Sequence, residues 1–153
     1  MRDLHSNIKA IQHLAIAAYT ASQDPAAISR KGFDSLEFLI DIGAITNIAN
    51  SPKPSWSFKL QESDSQNSGF TDVTDSNLEL YGSAKSPLGA PNSSTGIFLV
   101  VDSSSEDGTV YRVGYRGNKE WVKVVPAAAN TPGSTPLSIT ALLGHPALRP
   151  TAD

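Results

Sequence analysis

Hydrophobic and polar residues alternate along several short segments of this chain. In residues 55–62, Trp56, Phe58 and Leu60 lie on one face, and the polar residues 57, 59 and 61 lie on the other. A period of two is typical of a strand with one buried face. Residues 33–45 alternate in the same way but are apolar on both faces near the middle, which predicts a long central strand.

Further segments carry weaker forms of the pattern. They are residues 8–20, 70–73, 77–81, 97–101, 110–115, 121–125 and 137–143. The periodicity of residues 8–20 fits either a strand or a short helix. Asp107-Gly108 predicts a tight hairpin turn after residues 97–101. Gly117-Asn118 can adopt positive φ, which predicts a hairpin between residues 110–115 and 121–125.

The remaining segments have the composition of loops. Residues 82–96 and 127–136 are rich in Ser, Pro, Gly and Ala, and no segment predicts a long helix. About seven or eight strands predict an all-β fold, an antiparallel β-sandwich of immunoglobulin-like or jelly-roll-like form. We expect one domain over residues 1–153, with an N-terminal arm at about residues 1–8. An extended C-terminal tail follows at about residues 144–153, where Pro146 and Pro150 disfavour strand pairing.

Composition narrows the possible partners. The chain has 153 residues, of which 39% are hydrophobic and 18% charged, values typical of a globular domain. The net charge is −3 and the 12 basic residues are scattered, so we expect no direct nucleic-acid partner. There is no cysteine, no signal-peptide pattern and no apolar run approaching the roughly 18 residues of a membrane span, so no membrane partner is expected either.

The common patterns of catalysis are absent from the sequence. It holds no nucleophile elbow, phosphate-binding loop or dinucleotide-binding fingerprint, and we predict neither enzyme activity nor a cofactor. The three histidines, His5, His13 and His145, lie near opposite ends of the chain and favour packing or surface positions over a metal site. The acidic residues 102–107 lack the distal Glu and the spacing of a calcium loop.

An aromatic cluster leaves two interpretations open. Tyr111 and Tyr115 share a face, and Trp121 follows on the next predicted strand. Such a cluster is more often core than surface, but it would also serve as an interface or a glycan platform. Together with Trp56, it motivates an alternative function, a carbohydrate-binding module.

Three segments carry a family resemblance. They are residues 4–9 (LHSNIK), 111–119 (YRVGYRGNK) with 121–124 (WVKV), and 143–146 (LGHP). Residues 32–35 (GFDS), 60–64 (LQESD) and 70–73 (FTDV) fit between them. In this order they resemble a family of small proteins encoded among the head-structure genes of tailed phages and prophages. The chain departs from that family's pattern at Glu120, Ala147 and Leu148, where basic residues are more usual.

The resemblance implies a structural role in a virion and supplies no catalytic residue. We expect a capsid decoration or cement protein on the capsid exterior, assembled in the host cytoplasm. Its expected partners are the major capsid protein and neighbouring copies of itself. A head–tail junction or tail protein is the alternative. The polar, extended chain ends favour an interface at Arg2, His5, Asn7, Lys9, His145, Pro146 and Arg149.

Overall fold

The computed structural model describes residues 4–74, 78–81 and 91–147. These residues form two antiparallel sheets, which confirms the predicted all-β sandwich. A short 3-10 helix, His5–Asn7, precedes the first strand. The strands are β1 (Ile8–Tyr19), β2 (Ile28–Ser29), β3 (Phe33–Ile42), β4 (Ser55–Ser63), β5 (Thr71–Asp72), β6 (Leu78–Tyr81), β7 (Ile97–Val101), β8 (Thr109–Tyr115), β9 (Trp121–Ala129) and β10 (Thr135–Pro146).

Each sheet contains five of these strands. Sheet A has the order β1-β10-β3-β8-β6. Sheet B has the order β2-β9-β4-β5, and β7 pairs with β4 on the same side as β5. No helix among the described residues has the length and apolarity to span a membrane.

The core is built from the apolar positions that alternate with polar ones in the sequence. The side chains of Trp56, Phe58 and Leu60 on β4 are fully buried, as are those of Phe38 and Ile40 on β3. Burying a side chain of this size contributes about 1.5–3 kcal/mol relative to leaving it exposed. These residues belong to one continuous hydrophobic cluster, so the two sheets share a single core.

The ambiguous segment at the start of the chain is a strand. β1 pairs with β10, and the first of its two register shifts lies between Gln12 and Leu14. The extra residue of this bulge is His13, so that His13 and Leu14 are buried side by side. A regular strand would have placed one of the two in solvent.

Both predicted hairpins are wrong. β7 belongs to sheet B and β8 to sheet A, so the turn at Asp107-Gly108 joins the two sheets. β9 returns to sheet B, so Gly117-Asn118 also connects strands of different sheets. The physical reason is burial: the apolar faces of β8 and β9 both lie in the core, and strands from opposite sheets bury such faces against each other.

The ends of the last two strands also differ from expectation. β9 continues through Pro126 to Ala129, which shortens the predicted loop to residues 130–134. β10 continues to Pro146, so the extended tail does not begin at Gly144. β1 pairs no further than Gly144, which leaves an edge beside Pro146 where proline is tolerated. Residues 148–153, the rest of the predicted tail, lie outside the described residues.

Candidate functional site

Segments that are far apart in sequence meet at one end of the sandwich. We call this the terminal end and define it by residues 5–9, 30–35, 62–64, 115–120 and 143–147. Strand pairing brings them together, because Ile8 lies opposite Gly144, which in turn lies opposite Ser35. In sheet B, Ser63 lies opposite Trp121. Parts of five of the six resemblance segments therefore lie at the terminal end.

Tyr115 holds the centre of the terminal end. Its ring is buried at the end of β8, with 4% exposure, and its hydroxyl donates a hydrogen bond to the Glu62 carboxylate. The same hydroxyl accepts a hydrogen bond from the backbone N–H of Lys119 at 3.1 Å. The Arg30 guanidinium lies over the Tyr115 ring, 4.9 Å from its centroid. One side chain thus connects the end of β4, the β2–β3 turn and the loop 116–120.

The surroundings of Tyr115 keep its hydroxyl protonated. Burial raises the pKa of Tyr115 above its ordinary value, and the hydrogen bond to the Glu62 carboxylate raises it further. The phenol therefore remains a donor at all physiological pH values. Its position and its charge state indicate a structural anchor for the loop 116–120.

Further bonds fix this loop against the β2–β3 turn. The Arg30 Nε donates to the Lys119 carbonyl at 3.0 Å, and the Arg30 N–H donates to the Glu120 carbonyl at 2.9 Å. The Lys119 Nζ lies 2.5 Å from an Asp64 carboxylate oxygen. Gly117 is required here, because a Cβ at this position would lie 2.2 Å from the Tyr115 hydroxyl. The loop is therefore held in one conformation while its charged side chains remain at the surface.

Strained backbone lies on the other side of the terminal end. His145 has a φ of 52°, in the left-handed region that few residues other than glycine adopt. Its Nδ1 lies 3.0 Å from the Ser35 hydroxyl. A Cβ at Gly144 would lie 2.6 Å from that same hydroxyl. The strand end and the Ser35 side chain together present the exposed imidazole of His145 to solvent.

The structure brings the predicted interface residues of the two chain ends together. Lys9 lies opposite Leu143 in the β1–β10 pair, which places the 3-10 helix and β1 beside the end of β10. His5 is exposed, whereas Asn7 and Lys9 are half-buried. Pro146 is buried opposite Phe33, so its side chain is not available for contact, a correction to the predicted interface. Arg2 and Arg149 lie outside the described residues.

Arg30, Glu62 and Lys119 are not among the contact residues that the sequence predicts. Glu62 belongs to the resemblance segment 60–64, and its carboxylate accepts the Tyr115 hydroxyl. The signal that was available is the pattern Tyr115-x-Gly117, in which glycine leaves room beside an aromatic ring. No local pattern could show that Arg30 lies over that ring.

Two of the three side chains of the aromatic cluster, Tyr111 and Tyr115, are core. Trp56 and Tyr111 are fully buried and Tyr115 nearly so, which confirms the core interpretation for these three side chains. Trp121 is half-buried. The stacking platform that a carbohydrate-binding module would need is therefore not formed by Trp56, Tyr111 and Tyr115.

The carboxylates of the acidic loop have separate protein partners. Asp107 is buried and accepts the Ile45 N–H at 3.0 Å, while Glu106 accepts the Asp102 N–H at 3.0 Å. The Asp102 carboxylate pairs with Lys53. In residues 4–74, 78–81 and 91–147, no group of three or more His, Asp or Glu side chains is placed to hold a metal ion.

A recess of about 380 Å³ lies on the outer face of sheet B. Its floor is largely apolar, with Ile97, Val125 and Ala127. Its two charged groups, Lys59 and Asp72, pair with each other at 3.0 Å. The ion pair neutralises the two charges of the recess. Among the lining residues, no two side chains have the geometry of a nucleophile and its base.

No protein-family model and no curated protein matches the chain. Among solved structures, the crystal structure of the SPBc2 prophage-derived protein YomS is similar, with 11% sequence identity and a TM-score of 0.44. The match covers 91% of this chain and 94% of the YomS chain. A likeness of this size carries no information about function.

Proposed function

We propose that this protein is a structural component of a tailed-phage particle, a decoration or cement protein that binds the major capsid protein through the terminal end. The observation that carries the proposal is the meeting of the resemblance segments. Residues 4–9, 32–35, 60–64, 115–124 and 143–146 lie in different parts of the sequence, and each contributes to or adjoins one surface.

The chemistry of the terminal end supports binding to a protein. Its exposed side chains carry both signs of charge, with Lys31 and Arg116 beside Asp64 and Glu120. A mixed pattern of this kind favours one orientation of a partner of complementary charge over others. Because Tyr115 and Arg30 hold the loop 116–120, little conformational entropy would be lost when a partner binds.

A virion shell would add avidity to a modest contact. Each copy needs only a weak bond to the shell if neighbouring copies also contact one another, since a second contact then forms at high effective concentration. A rigid β domain without a cofactor is sufficient for such a role. A carbohydrate-binding module finds less support, because Trp56, Tyr111 and Tyr115 are buried.

The first experiment measures copy number in purified particles by quantitative mass spectrometry. A decoration protein is expected in numbers comparable to the major capsid protein. A small fixed number of copies would instead support the alternative, a head–tail junction or tail protein. Absence from purified particles would overturn both.

The second experiment tests the surface with matched charge reversals. Lys119 at the terminal end pairs with Asp64, and Lys53 at the opposite end pairs with Asp102. Particles that lack the protein are incubated with wild type, Lys119→Glu or Lys53→Glu, and bound protein is measured after sedimentation. Lys119→Glu is expected to weaken binding about tenfold or more, whereas Lys53→Glu binds like wild type. Equal binding by both variants, each with wild-type thermal unfolding, would exclude the terminal end.

A further inference from the structure

The outer edge of β1 is open in the described structure. β1 is the last strand of sheet A on its side and pairs there with β10 alone. Among the described residues, one side chain bonds to the backbone of residues 15–18. It is Tyr19, whose hydroxyl donates to the Ala15 carbonyl at 2.8 Å. A strand edge of this kind presents unpaired N–H and C=O groups to solvent.

The edge of β1 differs from the other strands at the margins of the sheets. β2 and β5 have two residues each, β6 four and β7 five, whereas β1 has twelve. Short edge strands are one way in which proteins prevent unwanted pairing, and edge charges or prolines are others. β1 has neither charge nor proline from Ala10 to Tyr19. Its two register shifts are the protective features that remain.

The open edge is also apolar. Ala15, Ile16, Ala17 and Ala18 are all exposed, and Ile16, at 74%, is the most exposed large hydrophobic side chain among the described residues. An exposed apolar side chain on an unpaired edge is costly unless a partner covers it. An added strand would pair with the free backbone groups and would also cover the apolar side chains.

We propose that the outer edge of β1 pairs in an antiparallel manner with the β1 edge of a second copy, related by a two-fold axis at Ile16. The pairing would join the two copies of sheet A into one continuous sheet. This inference is independent of the proposed function, because it concerns the protein alone in solution.

Charge and symmetry favour a second copy as the occupant. Under a two-fold axis at this position, Ile16 lies opposite Ile16 of the other copy and Ala15 opposite Ala17, so no like charges meet. Lys9 is the nearest charged residue before the patch, and Asp24, the nearest after it, already pairs with Lys123. Antiparallel pairing separates the two copies of Lys9 by placing one at each end of the paired edges. Parallel pairing would bring like charges together.

The test uses the full chain and sedimentation velocity over a range of protein concentrations. Wild type is expected to form a dimer, and Ile16→Lys is expected to raise the dimer dissociation constant about tenfold or more, because two lysines would face each other across the axis. The matched control is Val110→Lys. Val110 is also exposed, at 47%, but lies on β8, which has a neighbour on each side. This variant should dimerise like wild type.

A mixing experiment separates pairing from misfolding. Ile16→Lys and Ile16→Glu are each expected to be monomeric, and an equimolar mixture should form the dimer again, because position 16 of one copy lies beside position 16 of the other. Wild type that stays monomeric at all concentrations would overturn the proposal, even if Ile16→Lys weakened particle binding. A dimer that survives Ile16→Lys, or a mixture that stays monomeric, would also overturn it.

Discussion

Two buried tyrosines of β8 anchor the two ends of the sandwich in different ways. Tyr111 and Tyr115 lie on the same face of the strand, both in the core. Tyr111 donates its hydroxyl to the backbone carbonyl of Glu106 at 2.6 Å, in the loop before β8. Tyr115 donates to the carboxylate of Glu62 and accepts an N–H from the loop after β8. The first partner is a neutral backbone group, and the second is a charged side chain.

Other side chains at the two ends differ in the same way, in whether they bond to backbone or to charged side chains. At the distal end, which we define by residues 43–54, 102–108 and 130–134, side chains bond mainly to backbone. Asn47 donates to the Thr131 carbonyl at 3.3 Å, and Asn130 donates to the Lys53 carbonyl at 2.8 Å. At the terminal end, charged side chains bond to one another and to Tyr115. The distal end therefore closes the fold, while the terminal end keeps charged side chains at the surface.

The largest expected effect on stability comes from His13, which lies between the two ends of the sandwich. Nε2 of His13 on β1 accepts the Val124 N–H of β9 at 3.0 Å, and the His13 ring lies 5.0 Å from that of Phe38. Burial lowers the pKa of His13 to about 4, and the nearby Lys123 lowers it too. From pH 6.5 down to about 4 the unfolded chain binds a proton that the folded chain does not. The free energy of unfolding should therefore fall by about 3 kcal/mol as pH falls through this range.

Urea denaturation at a series of pH values measures this loss. His13→Gln should be less stable than wild type at pH 7 but should depend less on pH between 6.5 and 4. Since His13 joins the two sheets, the protection factors for hydrogen exchange at both ends should fall together in acid. Equal pH dependence in wild type and His13→Gln would refute this role of His13. The two ends are therefore best compared at neutral pH.

The next effect compares two glycines, one at each end. A Cβ at Gly133 would lie 2.3 Å from the Thr46 hydroxyl, at a φ of 73°. A Cβ at Gly117 would meet the Tyr115 hydroxyl instead. We expect Gly133→Ala and Gly117→Ala each to lower the free energy of unfolding by about 2 kcal/mol. Only Gly117→Ala should also weaken particle binding, because it displaces the terminal-end loop.

Gly69→Ala is the control for these glycines. Gly69 has a φ of 69°, and its nearest neighbour to an added Cβ is 3.5 Å away, so this variant measures left-handed strain without overlap. It should cost about 1 kcal/mol. Thermal denaturation of the three variants checks the order. A loss in Gly69→Ala as large as that in Gly133→Ala would show that overlap at Gly133 contributes little.

A smaller effect compares the two tyrosines directly. Tyr115→Phe removes a hydrogen bond to a carboxylate and should lower the free energy of unfolding by about 2 kcal/mol. Tyr111→Phe removes a hydrogen bond to a neutral carbonyl and should lower it by about 1 kcal/mol.

Because burial raises the pKa of Tyr115, the folded chain keeps a proton that the unfolded chain loses above pH 10. Wild-type stability should therefore decline as pH rises above 10, and Tyr115→Phe should reduce that decline. Denaturation at pH 7 and pH 11 tests both statements; equal costs at pH 7 would remove the distinction between the ends.

The smallest effect concerns the surface ion pairs. Lys119→Gln at the terminal end and Lys53→Gln at the distal end each remove one exposed pair. Exposed pairs contribute little to stability, so both variants should unfold at nearly the wild-type temperature. A marked destabilisation by Lys119→Gln alone would mean that its pair with Asp64 is part of the structural anchor of the terminal end.

The sequence by itself determined most of the strands and their buried faces. Side chains of a strand alternate with a period of two whatever the strand pairs with, so residues 55–62 indicated correctly that Trp56, Phe58 and Leu60 are core. The contact residues predicted at both chain ends rest on their polar character alone and stay a prediction. The structure then brought His5, Lys9 and His145 to one end of the fold.

Only the tertiary structure decided which strands are neighbours. Asp107-Gly108 and Gly117-Asn118 favour tight turns, but a turn does not specify whether the next strand stays in the same sheet. Burial of β8 and β9 from opposite sides of the core made that choice. The group of Arg30, Glu62 and Tyr115 depends on the same choice, because its members come from three separate segments. Local patterns identify a strand, whereas the contacts between strands depend on the packing of the whole chain.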